Sequence, residues 1–494
     1  MTIFLNLINA IWLIIFLVLN PLIDPESKKK FKKEIYQHIS YLASDQLKGR
    51  GIGTPELDQA ADYIAMYFKK IGVKPVPANN GYFQEFDLIE NQGPESILLK
   101  INDHSFSLNQ DLILLNGSDS DLLGIEIAFV DFGYEKEVQP LDMKGKIILT
   151  RMGYSDKENF ESYFAHMEEK RESIQKQGAV ALIEIYQSER IPWQQAAAFL
   201  GRERLSIPDD NPQFIHLFVN DSSMITNLNK DKPTIADLSI EMAESKKIKA
   251  KNVVGYIEGT DDRLKDEYVL LGAHYDHVGI GRPIERAPGK PDSIYNGARD
   301  NAAGTVAIMI AAKVLVKNPP KRPVLFIAFT AEESGMLGSR YYASHPLIPL
   351  EKTIFYFNND NGGYNDTSVS TVVGTSRIDA TSKIEEGVEK AGLQLFSSNA
   401  LESEFFTRSD NISLSVKGVP SATYSLGFRK MDGEITKYYH QPTDEVESMD
   451  MDYVTQWIIG YINAAQNIAN MDERPFWNTG DEFESIGRKL YQLD

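Results

Sequence analysis

Residues 268–277 read Tyr-Val-Leu-Leu-Gly-Ala-His-Tyr-Asp-His, and residues 323–335 read Pro-Val-Leu-Phe-Ile-Ala-Phe-Thr-Ala-Glu-Glu-Ser-Gly. Each is a short apolar run that ends in a burst of titratable side chains. Runs of this length that stay apolar, instead of alternating, read as strands buried on both faces. Between them, residues 302–317 (Ala-Ala-Gly-Thr-Val-Ala-Ile-Met-Ile-Ala-Ala-Lys-Val-Leu-Val-Lys) read as a buried helix. Further out, Val253–Ile257, Thr353–Phe357 and Ser421–Ser425 read as strands, with helices expected near 379–391 and 451–469. This alternation predicts an α/β domain: a mixed, largely parallel sheet flanked by helices on both faces.

The polar residues stand just past the strands, where ligands bind in open α/β sheets. His274, Asp276 and His277 follow the first strand, Glu332 and Glu333 the second. Asp360 follows Thr353–Phe357 within Asn358-Asn359-Asp360-Asn361-Gly362. Asp300 stands at the start of the buried helix and His440 in the turn Tyr438–Asp444. Each has an ordinary reading by itself: a hydrogen-bonded His, a solvated Glu pair, a helix cap, a tight turn. Their joint appearance at successive strand ends points to a metal site. Two or three His and four or five carboxylates suit two divalent ions that share a carboxylate, and zinc accepts both donor types. Asp300 is the best candidate for the shared ligand. One carboxylate must stay off the metals to take a proton, and the adjacent Glu332 and Glu333 can divide that work. Asp276 is placed to accept the second ring N–H of His274. His277, three positions past His274, is expected to point elsewhere, outside the metal shell.

The flanks complete the layout. Phe31, Ile35, Ile39 and Leu42 form one helical stripe. After the loop Gly49-Arg50-Gly51-Ile52-Gly53, Thr54 caps a second helix with Pro55 in its first position, and Gly72 can end it. From about 116 to 247 the texture changes to short strands (Ile125–Val130, Lys146–Thr150, Val180–Ile185, Ile215–Val219) with long polar connections and a Glu- and Lys-rich helix near 160–177. This reads as an inserted domain without a His–carboxylate cluster, which places the metal chemistry in 24–115 and 248–494. Residues 3–23 form an apolar run broken by Asn6, Asn9 and Asn20. It reads as a signal peptide or membrane anchor and implies export, to the periplasm, the outside or the membrane surface. No Lys or Arg precedes it, and Lys28, Lys29, Lys30, Lys32 and Lys33 follow, against the usual charge bias.

Composition sets the outer limits. Of 494 residues, 42% are hydrophobic and 24% charged, which excludes a disordered chain and a polytopic membrane protein. A net charge of −19 disfavours nucleic acid as a partner. With no cysteine, thiolate catalysis, disulfides and Cys-based zinc sites are excluded, and any metal rests on His, Asp and Glu.

Five segments, HYDHVG, NGARDNAAG, FTAEESGMLGS, NNDNGG and YYHQPTD, together resemble the co-catalytic zinc aminopeptidase family. Its clan also contains bacterial leucyl aminopeptidase, glutamate carboxypeptidase-like and glutaminyl-cyclase-like members. The resemblance runs from about residue 30 onward, with the motifs in the family's order. The middle region resembles the protease-associated domain inserted in many members. The resemblance implies two zinc ions: His274 and Asp360 on one, Glu333 and His440 on the other, Asp300 bridging. It further implies Glu332 as general base, Asp276 orienting His274, and a cis peptide bond after Asp300. The implied activity is that of a metallo-aminopeptidase, which releases the N-terminal residue of peptides with a free N-terminus by means of a metal-activated hydroxide. Alternatives within the clan are a glutamate-type carboxypeptidase, which needs several Arg near its pocket (Arg282, Arg286, Arg299, Arg408 and Arg429 are candidates), a glutaminyl cyclase, and a catalytically silent receptor-like binding domain. The long stretch between His274 and Asp300, with Arg282, Pro283, Arg286, Pro288 and Pro291, departs from tighter relatives.

Overall fold

The computed structural model describes residues 25–493, apart from 92, 103, 134–141, 154–166, 168, 169, 189, 190, 201–203, 209–213, 222, 223, 225–232, 288 and 289. The expected leader at 3–23 lies outside the described residues, as does most of the first half of the helix expected at 160–177. Two compact units emerge: one from residues up to Phe86 together with Lys249 onward, the other from Asp87 to Ile248.

The first unit is built on the predicted sheet. Tyr268–His274 lies at its centre, parallel to Val324–Phe329 on one side and to Thr353–Asn359 on the other. Thr353–Asn359 is in turn parallel to Ser421–Ser425. Antiparallel neighbours appear further out, Lys246–Ile257 against Val324–Phe329 and Val369–Val373 against Ser421–Ser425. The central strands are buried along their whole length, as their unbroken apolar sequences require. Helices Gly304–Lys317, Thr381–Lys390 and Met451–Ala469 flank the sheet. Their residues join one core with Ile35, Ile39 and Leu42 of helix Pro25–Leu42.

Local signals in the leading segment act as expected. Thr54 caps helix Pro55–Ile71 by accepting a hydrogen bond from the Leu57 N–H. Gly72 ends the helix at φ 91°, a left-handed conformation that glycine adopts without a Cβ clash. At Gly49 a Cβ would stand 2.5 Å from the carbonyl oxygens of both Gly279 and Tyr295, so only glycine permits that approach.

The second unit begins earlier than the sequence reading placed it. Strands Pro94–Ile101, His104–Ser107 and Leu112–Asn116, expected in the first domain, belong to its eight-stranded sheet. Pro94–Ile101 pairs antiparallel with Thr234–Met242, far away in the chain. The alternating pattern at 82–114 announces half-buried strands but carries nothing about their partners. At the centre of this sheet, Ile147–Arg151, Ala181–Ile185 and Ile215–Val219 run parallel.

This core holds a buried charge cluster. Lys170 donates to Glu184 Oε2 at 2.5 Å, and His216 Nε2 lies 2.8 Å from Glu184 Oε1, with all three side chains fully shielded from solvent. Burial pushes Glu184 up, but the Lys170 ammonium and the His216 hydrogen bond outweigh it and hold the carboxyl at about 2. Burial also pushes His216 below its ordinary 6.5, against the pull of Glu184. Below that pH the unfolded chain takes up a proton at His216 that the folded unit refuses, and Glu184 adds the same effect at lower pH. Stability of this unit is therefore full above about pH 6.5 and declines on acidification. Hydrogen exchange of Ala181–Ile185 and Ile215–Val219, corrected for intrinsic rates, should be faster at pH 5 than at pH 7.5. Equal protection at the two pH values would refute the linkage.

Candidate metal centre

The strand Tyr268–His274 delivers His274 into the first unit's rim, where its Nε2 lies 3.1 Å from Asp360 Oδ1 and 3.4 Å from Asp300 Oδ1. Its other ring nitrogen faces Asp276, 3.2 Å from the backbone oxygen and 3.8 Å from Oδ1. Thr305 of the buried helix donates to the His274 carbonyl at 2.7 Å.

The second strand ends in a sharp turn. Ala331 adopts φ 55°, and the N–H groups of Glu332 and Glu333 both donate to the Asp276 carboxylate, at 3.2 and 3.3 Å. One buried carboxylate thus fixes the backbone that aims both Glu side chains. Burial pushes Asp276 up to about 6, against the attraction of His274. The two Glu residues diverge. Burial raises Glu332 well above the carboxylate range. It also pushes Glu333 up, as does Asp300, but hydrogen bonds with His277 and His440 prevail and hold Glu333 at about 2.

Asp300 precedes a cis peptide bond to Asn301, as the resemblance implied. Its N–H and that of Arg299 donate to Asp444 Oδ2, and the Arg299 guanidinium donates to Asp444 Oδ1 at 2.9 Å. Asn301 ties this loop to the next ligand segment, donating to the Asn359 carbonyl at 2.8 Å and accepting from the Asn361 amide at 2.9 Å. His440 Nε2 stands 3.1 Å from both Asp300 Oδ2 and Glu333 Oε2. Its backbone is left-handed at φ 52°, and its ring stacks on Tyr439 at 4.0 Å. A non-glycine residue held in that conformation beside a cluster of charges is typical of a functional position.

The structure brings all five expected metal-ligating residues together. His274, Asp300 and Asp360 form one potential ion site, and His277, Asp300, Glu333 and His440 form a second, with ligand atoms in each within 4.8 Å of one another. Asp300 belongs to both.

His277 requires a correction. Expected to point away, it is buried in the second cluster, with Nδ1 2.6 Å from Glu333 Oε1 and 3.9 Å from Asp300 Oδ1. It makes a shorter contact to a carboxylate than His274 does, although His274 is the nearer of the two to Asp300. The strand stops at His274, so the alternation of side chains stops there too. Beyond it the chain bends, with the His277 N–H donating to the Arg50 carbonyl at 3.2 Å. Sequence reasoning also missed Ser409, which donates to Asp360 Oδ2 at 2.5 Å, and gave no role to Asp444. Ser409 carries no signal in a single sequence, whereas Asp444 lay within a quoted motif.

The donor set fits zinc: imidazole nitrogen and carboxylate oxygen, no thiolate, and clustered buried carboxylates whose mutual repulsion a dication relieves.

Residues 252–464 match peptidase family M28. A stretch of 208 residues is 27% identical to aminopeptidase YwaD of Bacillus subtilis, covering 42% of each chain. Another of 110 residues is 34% identical to a probable leucine aminopeptidase 2 of Aspergillus oryzae, covering 22% of this chain and 19% of that one. The matched stretches thus span less than half of these relatives. Among solved structures, an aminopeptidase from Aneurinibacillus sp. strain AM-1 superposes with a TM-score of 0.52 at 21% identity, covering 90% of this chain and 95% of that one, which establishes a shared fold. Residues 252–464 are thus similar to peptidase family M28, and the similar proteins carry the names of aminopeptidases and a probable zinc metalloprotease.

Proposed function

We propose that the chain is a di-zinc aminopeptidase acting on peptides with a free N-terminus. The observation that carries the reading is the pair of donor clusters sharing Asp300. His274 and Asp360 would hold one ion, Glu333 and His440 the other, with Asp300 between. His277 then donates to Glu333 much as Asp276 receives His274, and each partner fixes the orientation of a ligand. Bound zinc supplies a Lewis acid that makes water acidic near neutrality and polarises a carbonyl. Glu332, fixed by Asp276 through its backbone and kept off both clusters, accepts the proton of the attacking water and returns it to the leaving amine.

Among the described residues, the carboxypeptidase alternative lacks its cationic cluster. Arg299 is engaged by Asp444 and Ser448, and Arg429 by Asp366. Arg282 is exposed on the hairpin after His277, and the Arg286 side chain lies outside the described residues. Of the four whose side chains are described, only Arg408 lines the cavity over the clusters. The unit 87–248 fits a protease-associated insert: the chain enters and leaves it between the two parts of the first unit, and both metal clusters found among the described residues lie in the first unit. The run 3–23 supports export or anchoring.

Aminoacyl arylamides should be hydrolysed, N-blocked peptides spared, and activity lost to a chelator and restored by zinc. Metal analysis should return two zinc ions per chain. Cleavage of blocked and free substrates alike would refute the exopeptidase assignment, and a single ion at full activity would refute the two-ion assignment.

A further inference from the structure

A cavity of about 750 Å³, its open mouth included, is lined by Asp300, Glu332, Glu333, Asp360 and His440 and also by the apolar side chains Phe405, Phe428, Met431 and Ile435. Arg408 lines the same cavity. Its backbone is held firmly. The Arg408 N–H donates to the Phe405 carbonyl at 3.1 Å. The next residue, Ser409, grips Asp360, and Asn411 donates to the Phe406 carbonyl at 2.9 Å. The guanidinium carbon lies 5.1 Å from the Phe405 ring centroid.

Unlike Arg299, Arg377 and Arg429, Arg408 has no carboxylate partner among the described residues. A substrate's α-ammonium is drawn to the carboxylates of the clusters and repelled by a guanidinium. What an exposed guanidinium over an aromatic ring, without a carboxylate partner among the described residues, does attract is a carboxylate, matched by two parallel N–H donors.

We propose that Arg408 receives a carboxylate of the substrate, selecting peptides that carry a negative charge next to the scissile bond. The inference rests on the aminopeptidase reading and adds the substrate's charge to it. Two parts of a peptide supply this group: the side chain of an acidic N-terminal residue, or the C-terminal carboxylate of a dipeptide.

The test measures kcat/KM of the wild-type chain, Arg408→Gln and Arg408→Lys on four probes: Leu-arylamide, Glu-arylamide, Leu-Leu and Leu-Leu-amide. If the acidic side chain is the source, Arg408→Gln lowers the ratio of Glu-arylamide to Leu-arylamide by about tenfold or more, the size of a lost charge-assisted pair. If the dipeptide terminus is the source, the ratio of Leu-Leu to Leu-Leu-amide falls by a similar factor. Arg408→Lys keeps the charge and loses the fork, so it restores the affected ratio in part. Both ratios unchanged, or all four probes weakened equally, overturns the proposal while leaving the aminopeptidase reading intact. A wild-type chain that hydrolyses none of the four overturns both.

Discussion

Glu332→Gln should lower kcat by about 100- to 10,000-fold while zinc content stays at the wild-type value, the loss expected when a general base is removed without change of shape. Neighbouring Glu333→Gln should act differently: metal content falls first, and activity falls with it. The division follows from what each side chain meets. Glu333 lies against His277, His440 and Asp300, the donors of one ion cluster. Glu332 lies beside the clusters and belongs to neither. Because Asp276 holds both backbone N–H groups, neither substitution moves the turn. Metal analysis alongside steady-state kinetics decides the matter. Two mutants with the same metal content and the same activity would refute the division of labour.

Arg50→Met should destabilise the first unit by more than about 3 kcal/mol, and the protein is expected to express poorly. Arg50 is 1% exposed and donates to four carbonyls: Leu42, Tyr275 at 2.8 Å, Asn296 at 2.7 Å and Gly297 at 3.0 Å. Those carbonyls belong to the leading helix, to the segment between His274 and His277, and to the loop before Asp300. A methionine of similar length fills the space but leaves buried acceptors unmade, each costing about 1–3 kcal/mol. The side chain also offsets charge, standing within electrostatic reach of Asp276, Asp300 and Asp444. Urea unfolding measures the loss. A change below about 1 kcal/mol would show that water replaces the guanidinium at all four carbonyls, contrary to its burial.

Much of the first unit was legible in the chain. Val324–Phe329, Thr353–Asn359 and Ser421–Ser425 stand where unbroken apolar runs placed them, because a strand buried on both faces has no polar position to disguise it. Helix Pro55–Ile71 carries its start and stop in Thr54, Pro55 and Gly72, groups that act on their own backbone. The clustering of His274, Asp300, Glu333, Asp360 and His440 could also be read ahead, since parallel strands joined by crossover helices bring their carboxyl ends to one rim.

What the sequence by itself determined was the order of elements and the chemistry delivered at each strand end, because both depend on neighbours along the chain. Which sheet received the strands at 94–116, where His277 turned, and that Arg408 reached the cavity while Arg282, Arg299 and Arg429 did not were decided by tertiary structure. Alternation at 94–101 specifies a face but not a partner, and the partner lay at Thr234–Met242. His277 follows the end of a strand, where periodicity no longer fixes direction, and its place was set by the carbonyl of Arg50. A guanidinium on a flexible stem goes to the nearest buried acceptor or anion. For Arg299 that was Asp444, and for Arg50 four carbonyls on the leading helix and on the segments around the candidate metal centre, partners that only folding brings within reach.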